Sequence, residues 1–249
     1  MKYVVILCDG MADYPIPSLG GKTPMAKAYK PNMDFLARYS VLGQVKTVPE
    51  GFAPGSDTAN LSILGFDPKT CYTGRSPLEA LAMGVILGEE DIATRLNFVT
   101  LDDNPNFEDK VLLDYSAGEI STAESRQLIA SLKEFFDSED ICLHAGVSYR
   151  HCLVRKNAKI GTTYTPPHDI TGKRIGDYLP VGDFAEVAKD MYMMANELLA
   201  DHPVNQKRIK EGKRPANGIW LWGEGITRAL PLFHASSFAS LLSGESPAW

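Results

Sequence analysis

The sequence has few cysteines, and no motif gathers them. The four are Cys8, Cys71, Cys142 and Cys152, and none forms a Cys-x-x-Cys pair. Structural zinc sites are typically built from such pairs, so their absence argues against a zinc site of this kind. Widely spaced thiols are typical of proteins in a reducing compartment, and we predict that all four are free.

The sequence also lacks a basic excess and a long apolar run. With 25 Lys and Arg against 31 Asp and Glu, the formal net charge is −6, which argues against a nucleic-acid partner. A few Arg and His in a pocket could still bind an anion. The N-terminal apolar run at 3–8 is too short for a signal peptide or a membrane-spanning helix. We therefore expect a cytoplasmic protein with no membrane partner.

The N-terminal part carries the pattern of an α/β core. Residues 3–8 are continuously apolar and rich in β-branched types, as in a parallel strand covered on both faces. Asp9 then stands at the carboxyl end of this strand, the edge where open α/β sheets bind ligands. The other predicted elements of this part are a helix at 32–39, a strand at 41–48, a helix between Ser56 and Gly65, and a helix at 76–87.

From about residue 89 the pattern changes to that of a separate α+β unit. The apolar run 218–222 is predicted as a strand that returns to the first domain. The predicted domains are therefore a core, 1–88 and 216–249, and an inserted unit, 89–215. The inserted unit has predicted strands at 93–101, 111–114 and 148–155 and helices at 121–135, with a Ser121/Glu124 capping box, and 182–200.

Two residues of the predicted core are candidates for a functional role, and the local sequence allows a structural role for each as well. Asp9, followed by glycine at a strand end, is typical of a metal ligand and also of a simple turn. Ser56 stands where a loop meets a helix, after Gly55, which we expect to allow a sharp turn. Free N–H groups at a helix N-terminus favour an anion, which suits a serine that becomes phosphorylated. A plain N-cap at Ser56 fits the local pattern as well.

Longer motifs make the prediction more specific. They are PGSDTANLSILGFDP at 54–68, TGRSPLEALAMGV at 73–85, RLNFVTL at 95–101, DYSAGEISTAE at 114–124, GVSYRH at 146–151, TPPHDITGK at 165–173, HPVNQKR at 202–208 and ANGIWLWGEG at 216–225. Together with Asp9-Gly10, this series resembles the archaeal-type, cofactor-independent phosphoglycerate mutases of the alkaline phosphatase superfamily. The resemblance runs to about residue 231.

The resemblance implies a fold, a reaction and a cofactor. The fold would be α/β, an alkaline-phosphatase-like parallel sheet core, incomplete here, with an inserted α+β domain. The enzyme would interconvert 3- and 2-phosphoglycerate through a phosphoserine at Ser56, without 2,3-bisphosphoglycerate. Two divalent metals would flank this serine, with Mn²⁺ the first choice and Zn²⁺ or Mg²⁺ as alternatives. Asp9 and Ser56 would bind one of them, and the metal would activate the Ser56 hydroxyl.

The inserted unit supplies candidates for holding the substrate, a small phosphorylated acid. Arginine offers a fork that matches a carboxylate or a phosphate. Within a strand, Arg150 and His151 point to opposite faces, so only one can face a cleft unless the strand bulges. Each candidate could instead be an ordinary surface or hydrogen-bonded residue. The predicted substrate-binding residues are Arg75, Arg95, Asn97, Arg150, His151, His168 and Asp169.

The sequence departs from the resembled family in its length. Family members are considerably longer, and their second half supplies further Asp and His ligands to the metals. Two metals need about six to eight protein ligands, more than Asp9 and Ser56 provide. After Pro231 the resemblance ends, and we expect a shortened chain without this second half. Weak or absent mutase activity follows, together with an incomplete sheet through which the chain could self-associate.

Two other functions stay open. One is a small-molecule kinase of the proposed homoserine kinase type, although the sequence has no Gly-rich loop for nucleotide phosphates. The other is a non-catalytic, truncated binding module. The apolar residues Trp220 and Trp222 are interpreted as part of the core rather than of a site.

Overall fold

A computed structural model describes residues 4–8, 10–228 and 230. The chain divides into two compact units, Met1–Lys46 and Thr47–Trp249. This division differs in position from the domain boundaries expected near residues 88 and 216, which stay a prediction. Among the helices of the described residues, none is both long and apolar enough to cross a bilayer.

The first unit contains two short helices and no strand among its described residues. The helices are α1 (Pro24–Lys27) and α2 (Pro31–Arg38), and each begins with a proline, whose fixed φ suits the first helical position. The strands expected at 3–8 and 41–48 are not formed in the parts described here, and Val4 and Val41 are exposed. A parallel strand needs neighbouring strands to satisfy its backbone, and no described strand pairs with either segment.

The second unit opens with three short helices. They are α3 (Ser56–Ile63), α4 (Pro68–Cys71) and α5 (Arg75–Ala82). Helix α5 begins one residue earlier than expected and ends five residues earlier than the predicted 76–87. Gly84 has φ +77°, a left-handed conformation that terminates a helix, and the amide of Val85 turns back to the carbonyl of Ala80 at 2.9 Å.

An antiparallel sheet forms the centre of the second unit. Its strands are β1 (Ile92–Leu101), β2 (Leu112–Asp114), β3 (Ile141–Val147), β4 (Arg150–Arg155) and β7 (Gly218–Ile226). Strand β1 is fully buried and pairs with β2, β4 and β7, while β3 pairs with β4. A separate two-stranded antiparallel sheet is formed by β5 (Thr162–Thr163) and β6 (Val181–Gly182).

Strand β7 contains the apolar run 218–222, whose expected return to the first domain stays a prediction. It pairs antiparallel with β1 over nearly its whole length, from Val99↔Gly218 to Ile92↔Ile226. The apolar run therefore joins the sheet of the segment that we expected to be an insertion. An apolar run predicts that a strand is buried, and it does not predict which strand it pairs with.

Three helices complete the second unit: α6 (Thr122–Phe136), α7 (Ala185–Ala200) and α8 (Pro203–Lys210). Helix α6 begins with the predicted capping box of Ser121 and Glu124. Helix α6 packs against β3 and helix α7 against β7, and Leu128 and Leu132 of α6 belong to the same main core as Phe98 and Leu153 of the sheet. Helix α5 packs against β1, β4 and β7 through a second, smaller cluster that contains Ala80.

Candidate functional site

A cleft of about 280 Å³ opens in the second unit where helix α5 meets the sheet. Five of the seven predicted substrate-binding residues line it, together with three aromatic residues that the sequence did not single out as site residues. The lining residues are Arg75, Arg95, Asn97, Tyr115, Tyr149, Arg150, His168 and Trp222.

The alternation of strand β1 places two of these residues. Arg95 and Asn97 lie in the cleft, while the intervening Leu96 and the following Phe98 belong to the main core. In the neighbouring strand, Arg150 lies directly opposite Asn97 and joins the cleft. In the sequence Arg-Leu-Asn-Phe, the two polar side chains therefore face the cleft and the two apolar side chains face the core.

Helix α5 is fixed to the sheet by backbone contacts at its N-terminus. Gly74 has φ +140°, and a Cβ there would lie 2.4 Å from the carbonyl oxygen of Glu224, so only glycine fits. The hydroxyl of the buried Ser76 accepts a hydrogen bond from the amide of Arg95 at 2.8 Å and donates one to the carbonyl of Gly223. These contacts hold Arg75 beside strands β1 and β7.

Glu79 joins the two arginines of this corner. Its Oε1 accepts from Nε of Arg75 at 2.8 Å and from Nη1 of Arg95 at 2.7 Å. Both guanidinium groups also lie near the ring of Trp222, with Arg95 at 4.3 Å and Arg75 at 5.9 Å from its centroid. Burial lowers the pKa of Arg95 to about 10, against the opposing effect of Glu79, so Arg95 stays protonated at neutral pH.

Trp222 contacts four of the other residues that line the cleft, namely Arg75, Arg95, Asn97 and His168. The indole Nε1 donates to Oδ1 of Asn97 at 3.1 Å, and Nδ2 of Asn97 donates to the carbonyl of Tyr115 at 3.1 Å. The ring of His168 meets Trp222 edge-on at 5.3 Å and Tyr115 at 6.2 Å. Trp222 is buried, as its interpretation as part of the core requires, and it also lines the cleft.

Arg150 is the cation of the cleft that forms no ion pair with a described residue. Its guanidinium lies 5.4 Å from the ring centroid of Tyr149, and its side chain is exposed. The cleft therefore contains three guanidinium groups, and the carboxylates in direct contact with its described lining are Glu79, which pairs with two of them, and Asp169, which lies beside His168. This excess of positive charge favours an anionic ligand.

His151 and Asp169 are the two predicted substrate-binding residues outside the cleft lining. His151 is 1% exposed and packs edge-on against Phe98 at 4.9 Å, while its Nδ1 accepts from the amide of Gly146 at 3.1 Å. Burial lowers its pKa to about 4, so the ring is neutral. Asp169 has an exposed carboxylate 3.7 Å from Nε2 of His168. Strand alternation explains why His151 faces away from Arg150.

Ser56 is the first residue of α3 and is exposed. Its N-cap is Gly55, so the alternative of a Ser56 N-cap is wrong, and its hydroxyl makes no hydrogen bond to the described part of the chain. Gly55 has an extended φ of −162° rather than a sharp turn. A Cβ at this position would displace the carboxylate of Asp57, which is the end of a flexible side chain.

The next residue, Asp57, is held by the following helix-turn segment. Its Oδ1 accepts from the amide of Thr58 at 2.9 Å, and its Oδ2 accepts from the hydroxyl of Tyr72 at 2.5 Å. Burial and the Asp57 carboxylate raise the pKa of Tyr72 well above its ordinary value, so Tyr72 stays a donor. The start of α3 is thus linked to Tyr72, which lies three residues before Arg75 in the sequence.

The predicted metal site cannot be built from the described residues. Asp9 lies outside them, and among residues 4–8, 10–228 and 230 no three His, Cys, Asp or Glu side chains are grouped to hold a metal ion. Ser56 has no such group beside it. The described residues by themselves do not fit a two-metal centre.

The structure is that of a mixed α/β protein whose cleft is lined by three arginines. A profile of the 2,3-bisphosphoglycerate-independent phosphoglycerate mutase family matches residues 37–205. A probable mutase of this name from Geobacter sulfurreducens is 49% identical over 94% of this chain and 58% of its own length. The mutase from Methanothrix thermoacetophila is 50% identical over 94% of this chain and 57% of its own length.

Solved structures agree with these sequence relatives. A cofactor-independent phosphoglycerate mutase from Thermoplasma acidophilum is 29% identical, with a TM-score of 0.53 over 90% of this chain and 59% of its own. A protein from Pyrococcus horikoshii is 27% identical, with a TM-score of 0.60 over 96% of this chain and 58% of its own. These matches confirm the predicted fold class.

The chain belongs to the 2,3-bisphosphoglycerate-independent phosphoglycerate mutase family. It spans somewhat more than half the length of the relatives that it matches, at 57% and 58% for the two named above.

Proposed function

We propose that the chain carries the substrate-binding part of a phosphoglycerate mutase that interconverts 3- and 2-phosphoglycerate through a phosphoserine at Ser56. The observation that supports this most directly is the cleft, which joins Arg75, Arg95, Arg150 and His168 in a single cavity of about 280 Å³. The substrate is a small acid with a carboxylate and a phosphate, and guanidinium forks match both groups.

Within the described chain, two of the three arginines in the cleft are held by an ion pair, and the third is not. Arg75 and Arg95 are held by Glu79 and Trp222, so they offer donors in defined positions. Arg150 has no ion-pair partner among the described residues and can approach a bound anion without breaking a salt bridge. Asn97 is held by the indole of Trp222 and the carbonyl of Tyr115, and its Nδ2 keeps a second N–H that can donate to a ligand.

Ser56 is proposed as the nucleophile that takes phosphate from one carbon and returns it to the other. Its hydroxyl is exposed in the first turn of α3, where free N–H groups and the helix dipole favour a phosphate. The divalent metal, Mn²⁺ or alternatively Zn²⁺ or Mg²⁺, would supply the activation of this hydroxyl. Asp9 and Ser56 are proposed as ligands, and the described residues do not complete the set.

The chain alone should therefore bind the substrate while turning it over weakly or not at all. A calorimetric titration with 3-phosphoglycerate, alongside a mutase assay with Mn²⁺, tests both parts of this proposal. Binding with a turnover far below about 10 s⁻¹, the rate of an ordinary enzyme, is expected. Failure to bind 3-phosphoglycerate would contradict the assignment of the cleft. Ordinary turnover that survived Ser56→Ala would contradict the assignment of the nucleophile.

The remaining features of the proposal concern partners and location. The expected ligand is a small phosphorylated acid. Self-association through an incomplete sheet, and a place in the cytoplasm, stay predictions from the sequence. Titration with ATP in the same calorimeter discriminates the proposal from a kinase, since a mutase of this type has no need for the nucleotide.

A further inference from the structure

We propose that Glu79 is a positioning residue that sets the spacing of Arg75 and Arg95 for a ligand with two anionic groups. This inference rests on the proposed function of the cleft. A carboxylate inside an anion-binding site is unexpected, because it competes with the ligand for the same guanidinium groups. Its contacts explain its presence.

A single oxygen of Glu79 joins the two arginines. Oε1 accepts from Nε of Arg75 at 2.8 Å and from Nη1 of Arg95 at 2.7 Å. Glu79 binds only one nitrogen of each guanidinium group. Both Nη atoms of Arg75 and Nη2 of Arg95 therefore make no hydrogen bond to a described residue. The pair therefore presents two separate sets of donors at a fixed distance.

Arg95 depends on this contact more than Arg75 does. Its side chain is 4% exposed, and its Nε has no hydrogen-bond partner in the described chain. Beyond Glu79, its guanidinium is held by the ring of Trp222 at 4.3 Å. Arg75 carries a like charge that disfavours protonated Arg95, and the Glu79 carboxylate opposes this effect.

Two accounts of Glu79 predict opposite results for Glu79→Gln. If Glu79 only competes with the ligand, removing its charge tightens the binding of every anion. If it positions the arginines, the loss depends on the ligand: a ligand that must meet two donor sets binds more weakly, whereas an anion that needs one guanidinium does not. 3-Phosphoglycerate and inorganic phosphate are suitable probes of the two cases.

The matched control is Glu124→Gln. Glu124 pairs with Arg208 at 2.9 Å, with side chains 23% and 3% exposed, against 27% and 4% for the pair of Glu79 and Arg95. Neither residue of the control pair lines the cleft. The two substitutions therefore remove one charge from ion pairs of similar burial, inside and outside the site. Thermal unfolding of each variant checks that it is folded.

The experiment measures both probes by calorimetry with the whole chain. Glu79→Gln is expected to weaken 3-phosphoglycerate binding by roughly tenfold, to leave phosphate binding equal or tighter, and Glu124→Gln to change neither. Equal or tighter 3-phosphoglycerate binding by Glu79→Gln would overturn the proposal. So would an equal loss in the control, or an equal loss for both probes.

A second measurement separates this proposal from the function on which it rests. If the unmodified chain binds no 3-phosphoglycerate, the assignment of the cleft fails by itself. The NMR signal of the Arg75 Nε–H then decides the positioning role, because a hydrogen-bonded Nε–H exchanges slowly with water. Loss of this signal in Glu79→Ala, which removes the acceptor oxygen, supports positioning, and its retention contradicts it.

Discussion

The guanidinium of Arg95 lies 4.3 Å from the ring centroid of Trp222, whose indole N–H donates to Asn97 at 3.1 Å. Arg95 and Trp222 are directly opposite each other on neighbouring strands, and Asn97 lies two residues farther along β1. One aromatic residue therefore supports a cationic group and orients an amide. The stability of this part of the fold and the shape of the cleft are consequently linked.

Trp222→Leu should lower the free energy of unfolding by about 2–4 kcal/mol, because a large buried side chain and a cation–π contact are both lost. Trp222 is 8% exposed, so the smaller leucine side chain would leave a buried space that the surrounding residues cannot fill. Urea unfolding followed by circular dichroism measures the change. A loss below 0.5 kcal/mol, as is usual for a surface substitution, would show that Trp222 is not packed as described.

Arg150→Gln should weaken 3-phosphoglycerate binding by roughly tenfold, the value of one charge-assisted hydrogen bond, with no measurable change in stability. The reason is that Arg150 lines the cleft, is exposed and forms no ion pair with a described residue. Arg126→Gln, which removes an exposed positive charge from α6, is the control. Similar losses in both variants would indicate a general charge effect rather than a contact in the cleft.

His151 should make the fold less stable in mild acid. Burial lowers its pKa to about 4 in the folded chain, below the ordinary value of 6.5. Below pH 6.5 the unfolded chain binds a proton that the folded chain does not, so stability falls as the pH drops from 6.5 to 4. The shift corresponds to a loss of about 3 kcal/mol.

Two other histidines change stability in the same direction. Burial also lowers the pKa of His144 and of His202, so the total slope contains their contributions. Urea unfolding at several pH values, compared between the original chain and His151→Leu, isolates the part that His151 contributes. An unchanged slope in the variant would show that His151 is accessible to protons in the folded chain.

Tyr192 forms a hydrogen bond with a backbone amide of strand β7. Its hydroxyl accepts from the amide of Leu221 at 2.9 Å, and its ring stacks on Trp220 with centroids 4.9 Å apart. Tyr192→Phe keeps the ring and leaves a buried amide unpaired, which should cost about 1–3 kcal/mol. Tyr29→Phe, at a residue that is 94% exposed, should cost nothing measurable in the same urea titration. Equal stability of both variants would mean that water replaces the Tyr192 hydroxyl.

Local sequence patterns predicted those helices and strands whose buried face is evident from the order of their own residues. The alternation of Arg95, Leu96, Asn97 and Phe98 indicates one polar and one apolar face, and the strand is found at Ile92–Leu101. Helix α6 was predicted from its capping box and begins as expected. Strand β3 and helix α8 were missed, because β3 contains a Gly and a His and α8 is rich in charge.

The site could be predicted only in part, for a physical reason. Arg75, Arg95, Arg150 and His168 carry charge or a titratable ring, and their residue types alone make them candidates. The roles of Glu79 and Trp222 depend on how α5 and β7 are placed against β1. That placement depends on tertiary packing, and the periodicity of apolar residues along the chain does not predict it. The apolar segment at 3–8 failed as a strand for a related reason, since no described strand pairs with it.

The central claim is that the cleft above Trp222 binds 3-phosphoglycerate, and the indole N–H signals test it most directly. Trp222 lines the cleft, whereas the indole of Trp220 donates to the carbonyl of Thr165 at 2.8 Å and lines no part of it. In an NMR titration with 3-phosphoglycerate, the Trp222 signal, assigned with Trp222→Phe, should shift in a saturable way while the Trp220 signal stays in place. A titration that moves neither signal, or both equally, would contradict the account.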